Sequence, residues 1–123
     1  MIYQFTLVFI GGGLGAGLRW LLRESIHSPL DFPWATFTAN IIGCLLIGFL
    51  NSWIPKNFSS PENLMLFFGL GFCGGLTTFS SFISENVQML DFQKWIAFVL
   101  YSAISFLLGG ICLWLGRWIG FKA

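Results

Sequence analysis

The sequence predicts an all-α membrane protein of four transmembrane helices, the third broken near its middle, assembled as an antiparallel dual-topology homodimer. Three observations lead to the four spans and the break. The chain of 123 residues is 56% hydrophobic and only 9% charged, whereas soluble domains carry about 25% charged residues. Four stretches contain no Asp, Glu, Lys, Arg or His: Met1–Leu18, Phe32–Pro55, Asn63–Ser84 and Trp95–Gly116. Each is close to the roughly 20 apolar residues that cross a hydrocarbon core about 30 Å thick. The third of them contains Gly74-Gly75 followed closely by Thr77-Thr78, a poor helix interior.

Together the four stretches leave three short connections and two short tails, too little for a catalytic domain. A soluble helical bundle is disfavoured because amphipathic surface helices need a charged face, and these segments have none. The first segment reads as a span and not as a signal peptide: no basic region precedes it, and Arg19 and Arg23 stand at its far end. The whole chain, 1–123, is therefore expected to be one transmembrane domain.

Helix one is expected over residues 3–22. Gly11, Gly12, Gly13, Gly15, Ala16 and Gly17 crowd it, and the four-residue spacings Gly11/Gly15 and Gly13/Gly17 suit close helix approach in lipid. The run weakly matches a dinucleotide-binding fingerprint, but the strand and βαβ unit that motif requires are not predicted. The connection from Glu24 to Asp31, with His27 and Pro29, reads as a solvated loop.

Helix two is expected over residues 33–53, with Pro33 in the first turn and Trp34 and Trp53 as interfacial anchors. Thr36, Thr38 and Asn40 lie inside it, followed by Gly43, Cys44 and Gly48. An amide in hydrocarbon needs partners. Asn40 either faces a wet cavity or joins helices by hydrogen bonds.

Segment three is expected over residues 63–89, with a break near 74–78. A break releases backbone groups that cost several kcal/mol each if they face lipid unsatisfied. Discontinuous helices of this sort mark ion and substrate sites; the alternative is a continuous glycine-rich packing face. The following half-helix carries Phe79 and Phe82 at i, i+3, on one face. Ser80, Ser81 and Ser84 add hydroxyls, while Glu85 and Asn86 approach the far interface.

Helix four is expected over residues 95–118. Trp95, Trp114 and Trp118 suit the interfaces, and Tyr101, Ser102 and Ser105 are its polar members. The cysteines Cys44, Cys73 and Cys112 fall one per segment, form no metal-ligand cluster and read as small buried hydrophobes.

Four crossings place both termini on one side. That side holds Lys56, Arg117 and Lys122; the other holds Arg19, Arg23 and Lys94. Since Lys and Arg near helix ends set orientation, a balanced count predicts insertion both ways and pairing as an antiparallel homodimer. An early pair such as Arg19 and Arg23 could instead fix a single orientation. Pairing has a further motive: four short helices enclose little volume, and an interface can supply a pathway.

The polar groups expected within the membrane are hydroxyls and one amide: Thr36, Thr38, Asn40, Thr77, Thr78, Ser80, Ser81, Ser84, Tyr101, Ser102 and Ser105. These groups donate as well as accept hydrogen bonds. No carboxylate sits at mid-span, which argues against a proton relay and against an acid-ringed cation pore. A donor-lined path for an anion remains. Aromatic rings have positive edges, so the edges of Phe79 and Phe82 fit the same picture, although most of the 15 Phe must face lipid or pack.

Three sets of residues give the chain a resemblance to the Fluc (CrcB) family of small fluoride channels over nearly its full length. They are Gly11-Gly12, Gly15-Ala16 and Arg19-Trp20; Asn40 with Gly43-Cys44 and Gly48; and the run Gly71-Phe72-Cys73-Gly74-Gly75-Leu76-Thr77-Thr78-Phe79-Ser80-Ser81-Phe82. Trp20 and Ser81 depart from the commoner tyrosine and threonine. The resemblance implies an antiparallel dimer with two fluoride pathways in a bacterial inner membrane, passing fluoride passively out of the cytoplasm where hydrogen fluoride has ionised. It assigns Asn40, Phe79 and Phe82 to the pathway, with Thr78, Ser80, Ser81 and Glu85 along or near it. Arg19 is placed near a vestibule, and Tyr101, Ser102 and Ser105 are weaker candidates from helix four. It also assigns the backbone carbonyls of Gly74 and Thr77 to a structural sodium ion at the dimer interface. Lipid, fluoride and a second copy are the implied partners, and nucleic acid is not.

Two other readings stay in view. A small multidrug antiporter needs a carboxylate within its first helix, and helix one has no acid before Glu24. A non-transporting scaffold would use the polar residues only to join helices. An enzyme lacks any nucleophile–base set or metal cluster.

Overall fold

The computed structural model describes residues 1–26 and 32–123; His27 and Pro29, read above as part of a solvated loop, lie outside the described residues. Every regular element among the described residues is helical: α1 (Ile2–Ser25), α2 (Trp34–Asn57), α3 (Pro61–Leu64), a π-helical stretch (Met65–Cys73), α4 (Gly74–Leu76), α5 (Phe79–Asp91) and α6 (Trp95–Lys122). Four segments are long and apolar enough to cross a membrane, the third running from Pro61 to Asp91. The chain is a multi-pass membrane protein. Its surface agrees, since Phe106 is 85% exposed and Ile96 78%, as befits side chains whose solvent is lipid.

The helices outrun the sequence boundaries at most ends. Helix two continues through Pro55 to Asn57. Proline there withholds a hydrogen bond only from the last turn, where interfacial water is at hand. Helix four continues past Arg117 to Lys122. Lys56 Nζ donates to the Phe121 carbonyl at 3.1 Å, so the ends of α2 and α6 meet on the side that holds the termini.

Two close pairings build the protomer. In the first, α1 packs on the third span: a side chain at Gly15 would collide with the backbone of Phe72 and Leu76, and one at Gly75 with that of Gly12 and Ala16. Backbones touch there because the glycine in each contact carries no Cβ, the close packing that drives helix association in lipid. Of the two spacings noted in helix one, Gly11/Gly15 makes this contact. Gly13 and Gly17 face open space within the protomer. In the second pairing α2 lies along α6, with Gly48 against Leu113 and Gly116 against Leu45.

The buried core is small, comprising Ala39, Ile54, Cys73, Leu76, Met89 and Tyr101 among apolar residues. Most side chains therefore face outward, and the protomer is thin.

The third span is irregular in two ways. Met65–Cys73 is π-helical, a form rare in long runs and common at functional sites. After Leu76 the backbone turns extended, with φ −81°, ψ 155° at Thr77 and φ −151°, ψ 116° at Thr78, before α5 begins. Thr78 caps α5: its Oγ1 accepts from the Ser81 N–H at 3.2 Å, the usual service of a threonine at that position.

Candidate ion pathway

The extended pair Thr77-Thr78 is held from the side by α2. Asn40 Oδ1 accepts from the Thr78 N–H at 2.8 Å, and Asn40 Nδ2 donates to the Thr78 carbonyl at 3.2 Å. A strand-like peptide in the bilayer core needs such partners, and one amide serves both of its groups. An asparagine amide carries two N–H donors, so one donor is left over.

Backbone carbonyls are released at the same place, those of Gly74 and Thr77 among them. The N–H one helical turn beyond Gly74 is that of Thr78, which goes to Asn40. The N–H one turn beyond Thr77 is that of Ser81, which goes to Thr78 Oγ1. Gly74 is exposed and a side chain there would meet nothing, so its stretch of backbone borders open space. Hard cations take oxygen ligands such as carbonyls, and the Gly74 and Thr77 oxygens fit that chemistry. The neighbouring Gly75 carbonyl is otherwise engaged, accepting from Arg19 Nε at 3.1 Å.

Two cavities flank Thr78, which borders both. The larger, about 500 Å³, brings together Asn40, Thr78, Phe79, Phe82, Gly74 and Thr77, with Ser105 from α6. The Ser105 hydroxyl is buried without a hydrogen-bond partner, the one such side-chain atom among the described residues. The Phe79 and Phe82 rings lie 6.2 Å apart at 33°, and Phe79 is 75% exposed; one protomer therefore leaves this ring uncovered. The smaller cavity, about 220 Å³, is lined by Arg19, Arg23, Thr36, Thr78 and Ser81 among others. Thr78 Oγ1 lies 3.3 Å from Ser80 Oγ and donates to Ser81 Oγ at 3.1 Å, so hydroxyls connect the two spaces.

Glu85 lies deeper. Its carboxylate accepts from the Thr36 hydroxyl at 2.5 Å and from the Tyr101 hydroxyl at 2.8 Å. Tyr101 is fully buried, its ring 5.0 Å from that of Phe82. Neither Glu85 nor Tyr101 lines either cavity; both stand behind residues that do. Asn86, placed near the interface by the sequence reading, is only 4% exposed. It donates to the Phe82 carbonyl at 2.9 Å and accepts from the Ser102 hydroxyl at 2.9 Å. That pairing was missed. Two polar residues 16 apart on different helices carry no local signal that they meet.

The model of the family described as "CrcB-like protein, Camphor Resistance (CrcB)" matches residues 6–117. The chain belongs to the CrcB family. Among CrcB relatives, the "Fluoride-specific ion channel FluC" of Bacteroides fragilis is 40% identical over 122 residues, 95% of each chain. Proteins of the same name from Phocaeicola vulgatus and Flavobacterium psychrophilum are 39% and 40% identical, covering 94% and 89% of this chain and 97% and 90% of their own. CrcB proteins of this kind are ion channels and not enzymes.

Proposed function

We propose that this chain is a fluoride-selective channel of the bacterial inner membrane that lets fluoride leave the cytoplasm passively, with two pathways in an antiparallel homodimer. The observation that carries this reading is the meeting of Asn40, Thr78, Phe79 and Phe82 on one cavity at mid-span, in a chain 40% identical to channels named fluoride-specific.

The chemistry suits a small anion. The cavity offers the second N–H of Asn40, the partnerless hydroxyl of Ser105 and the edges of two phenyl rings, all of which present partial positive charge. The N-terminus of α5 opens at Thr78, and a helix N-terminus favours anions. Fluoride is compact and accepts hydrogen bonds strongly. Chloride is larger and accepts them less well, so a narrow donor-lined route favours fluoride. Arg19, Ser81 and Thr36 would supply the approach through the smaller cavity, with Ser80 beside Thr78. Glu85 and Tyr101 would support the route from behind, the carboxylate being engaged by two hydroxyls.

The exposure of Phe79 supports a dimer, since a second protomer would complete the wall. The six Lys and Arg residues, three on each side, support insertion in both orientations. A sodium ion held by the Gly74 and Thr77 carbonyls of both protomers would lock the interface; it would supply positive charge and no redox or hydrolytic chemistry.

The test is fluoride efflux from liposomes containing the purified protein, followed with a fluoride electrode beside a chloride control. Rapid fluoride release with little chloride release is expected. Folded dimer that releases neither ion would overturn the proposal in favour of a scaffold.

A further inference from the structure

We infer that Asn86 and Ser102 form a positioning clamp that sets where Phe82 stands, so that this pair governs the rate of ion passage without touching the ion. The inference rests on the reading that Phe82 borders the pathway.

The argument begins at the extended pair Thr77-Thr78. Because the helix does not run through these residues, α5 does not inherit its direction from the upstream half of the span. Lateral contacts must fix it. At its start the contact is Asn40 with Thr78. Two turns on, consecutive residues of α5 bond to consecutive residues of α6: Glu85 to Tyr101 and Asn86 to Ser102.

The second of these bonds reaches the backbone of Phe82 through the Asn86 side chain. Asn86 is 4% exposed, and a buried amide is tolerated only when its groups are paired. Its oxygen accepts from Ser102 and its nitrogen donates to the backbone carbonyl of Phe82. The Phe82 ring in turn leans on Tyr101, the residue next to Ser102, at 5.0 Å. Backbone and ring of Phe82 are thus both referred to one turn of α6. Glu85 does not replace the clamp, because its carboxylate bonds Thr36 and Tyr101 and makes no bond to Phe82. Ser102 Oγ points to Asn86 and lines neither cavity, so its effect on flux must act through Asn86.

The experiment compares wild type, Ser102→Ala and Ser102→Thr in liposomes diluted to about one channel or fewer per vesicle. The fraction of vesicles that empty counts folded channels; the rate at which those vesicles empty reports each channel. Ser102→Ala strips Asn86 of its donor. We expect the per-channel fluoride rate to fall about fivefold or more, the kinetic equivalent of one hydrogen bond. Ser102→Thr keeps the hydroxyl and restores the rate. A Ser102→Ala protein that empties fewer vesicles at the wild-type rate would show a merely structural bond and overturn the clamp, as would failure of Ser102→Thr to restore the rate. If the wild type itself passes no fluoride, the channel reading fails instead; if wild type conducts and Ser102→Ala matches it in both readouts, only the clamp fails.

Discussion

The side-chain amide of Asn40 and the peptide of Thr78 exchange two hydrogen bonds, at 2.8 and 3.2 Å, across 38 residues of sequence. One side chain thereby satisfies a peptide that the helical ladder has abandoned. Asn40 is at once a latch on the third span and, through its remaining N–H, a candidate donor to an anion.

Replacing Asn40 by Leu removes both bonds and leaves the Thr78 N–H without a protein partner. Orphaned buried groups cost about 1–3 kcal/mol each. The Asn40→Leu protein is expected to lose fluoride flux and to lose its dimer at lower temperature, read by size-exclusion after stepped heating. Asn40→Asp keeps an acceptor for the Thr78 N–H, so it should recover part of the thermal stability but none of the flux. Equal flux in wild type and Asn40→Asp would show that no donor from this residue is needed.

The Phe82 ring lies tilted beside those of Phe79 and Tyr101. Phe82→Ile keeps an apolar side chain and removes the ring edge. Fluoride flux should vanish while the dimer still elutes intact; undiminished flux would count against the ring-edge role.

Four apolar spans and their order were readable because hydrophobic length is a local property of the chain. The pairing of spans was only half readable. A four-residue glycine spacing marks a helix face, but not which neighbour covers it: Gly11/Gly15 meets the third span, while Gly13 and Gly17 meet nothing in the protomer. The polar pairs were illegible for a similar reason. Thr36 reaches Glu85 across 49 residues and Ser102 reaches Asn86 across 16, and no local pattern says which hydroxyl finds which acceptor. The π-helical register of Met65–Cys73 left no trace in the periodicity, since it shifts each hydrogen bond by a single residue and keeps the segment uniformly apolar.

The two glycine spacings give a paired prediction. Gly15→Ala drives a Cβ into the backbone of Phe72 and Leu76, and overpacking of this kind costs about 1–3 kcal/mol. Gly13→Ala meets open space and gains helix propensity, up to about 1 kcal/mol. Thermal midpoints in detergent should fall for Gly15→Ala and hold or rise for Gly13→Ala. A fall in both would place Gly13 against a second protomer.

Sodium removal is the fourth test. If the Gly74 and Thr77 carbonyls hold sodium, exchanging it for a large organic cation during purification should lower fluoride flux, and adding sodium back should restore it. Flux indifferent to sodium throughout would remove the ion from the account.

The glycine contacts also dictate a timetable for synthesis. The Gly11/Gly15 face of α1 meets the stretch around Phe72 and Leu76, and Gly48 of α2 meets α6, which leaves the ribosome after the third span. The first two helices are therefore inserted with their glycine faces unmatched, and they wait in lipid until distant sequence arrives. A nascent chain stopped before α6 leaves the Gly48 face of α2 uncovered, although Asn40 already ties that helix to the third span. Membrane quality control would meet such a chain as three spans in contact with one glycine face still open, and insertion of α6 is the event that closes it.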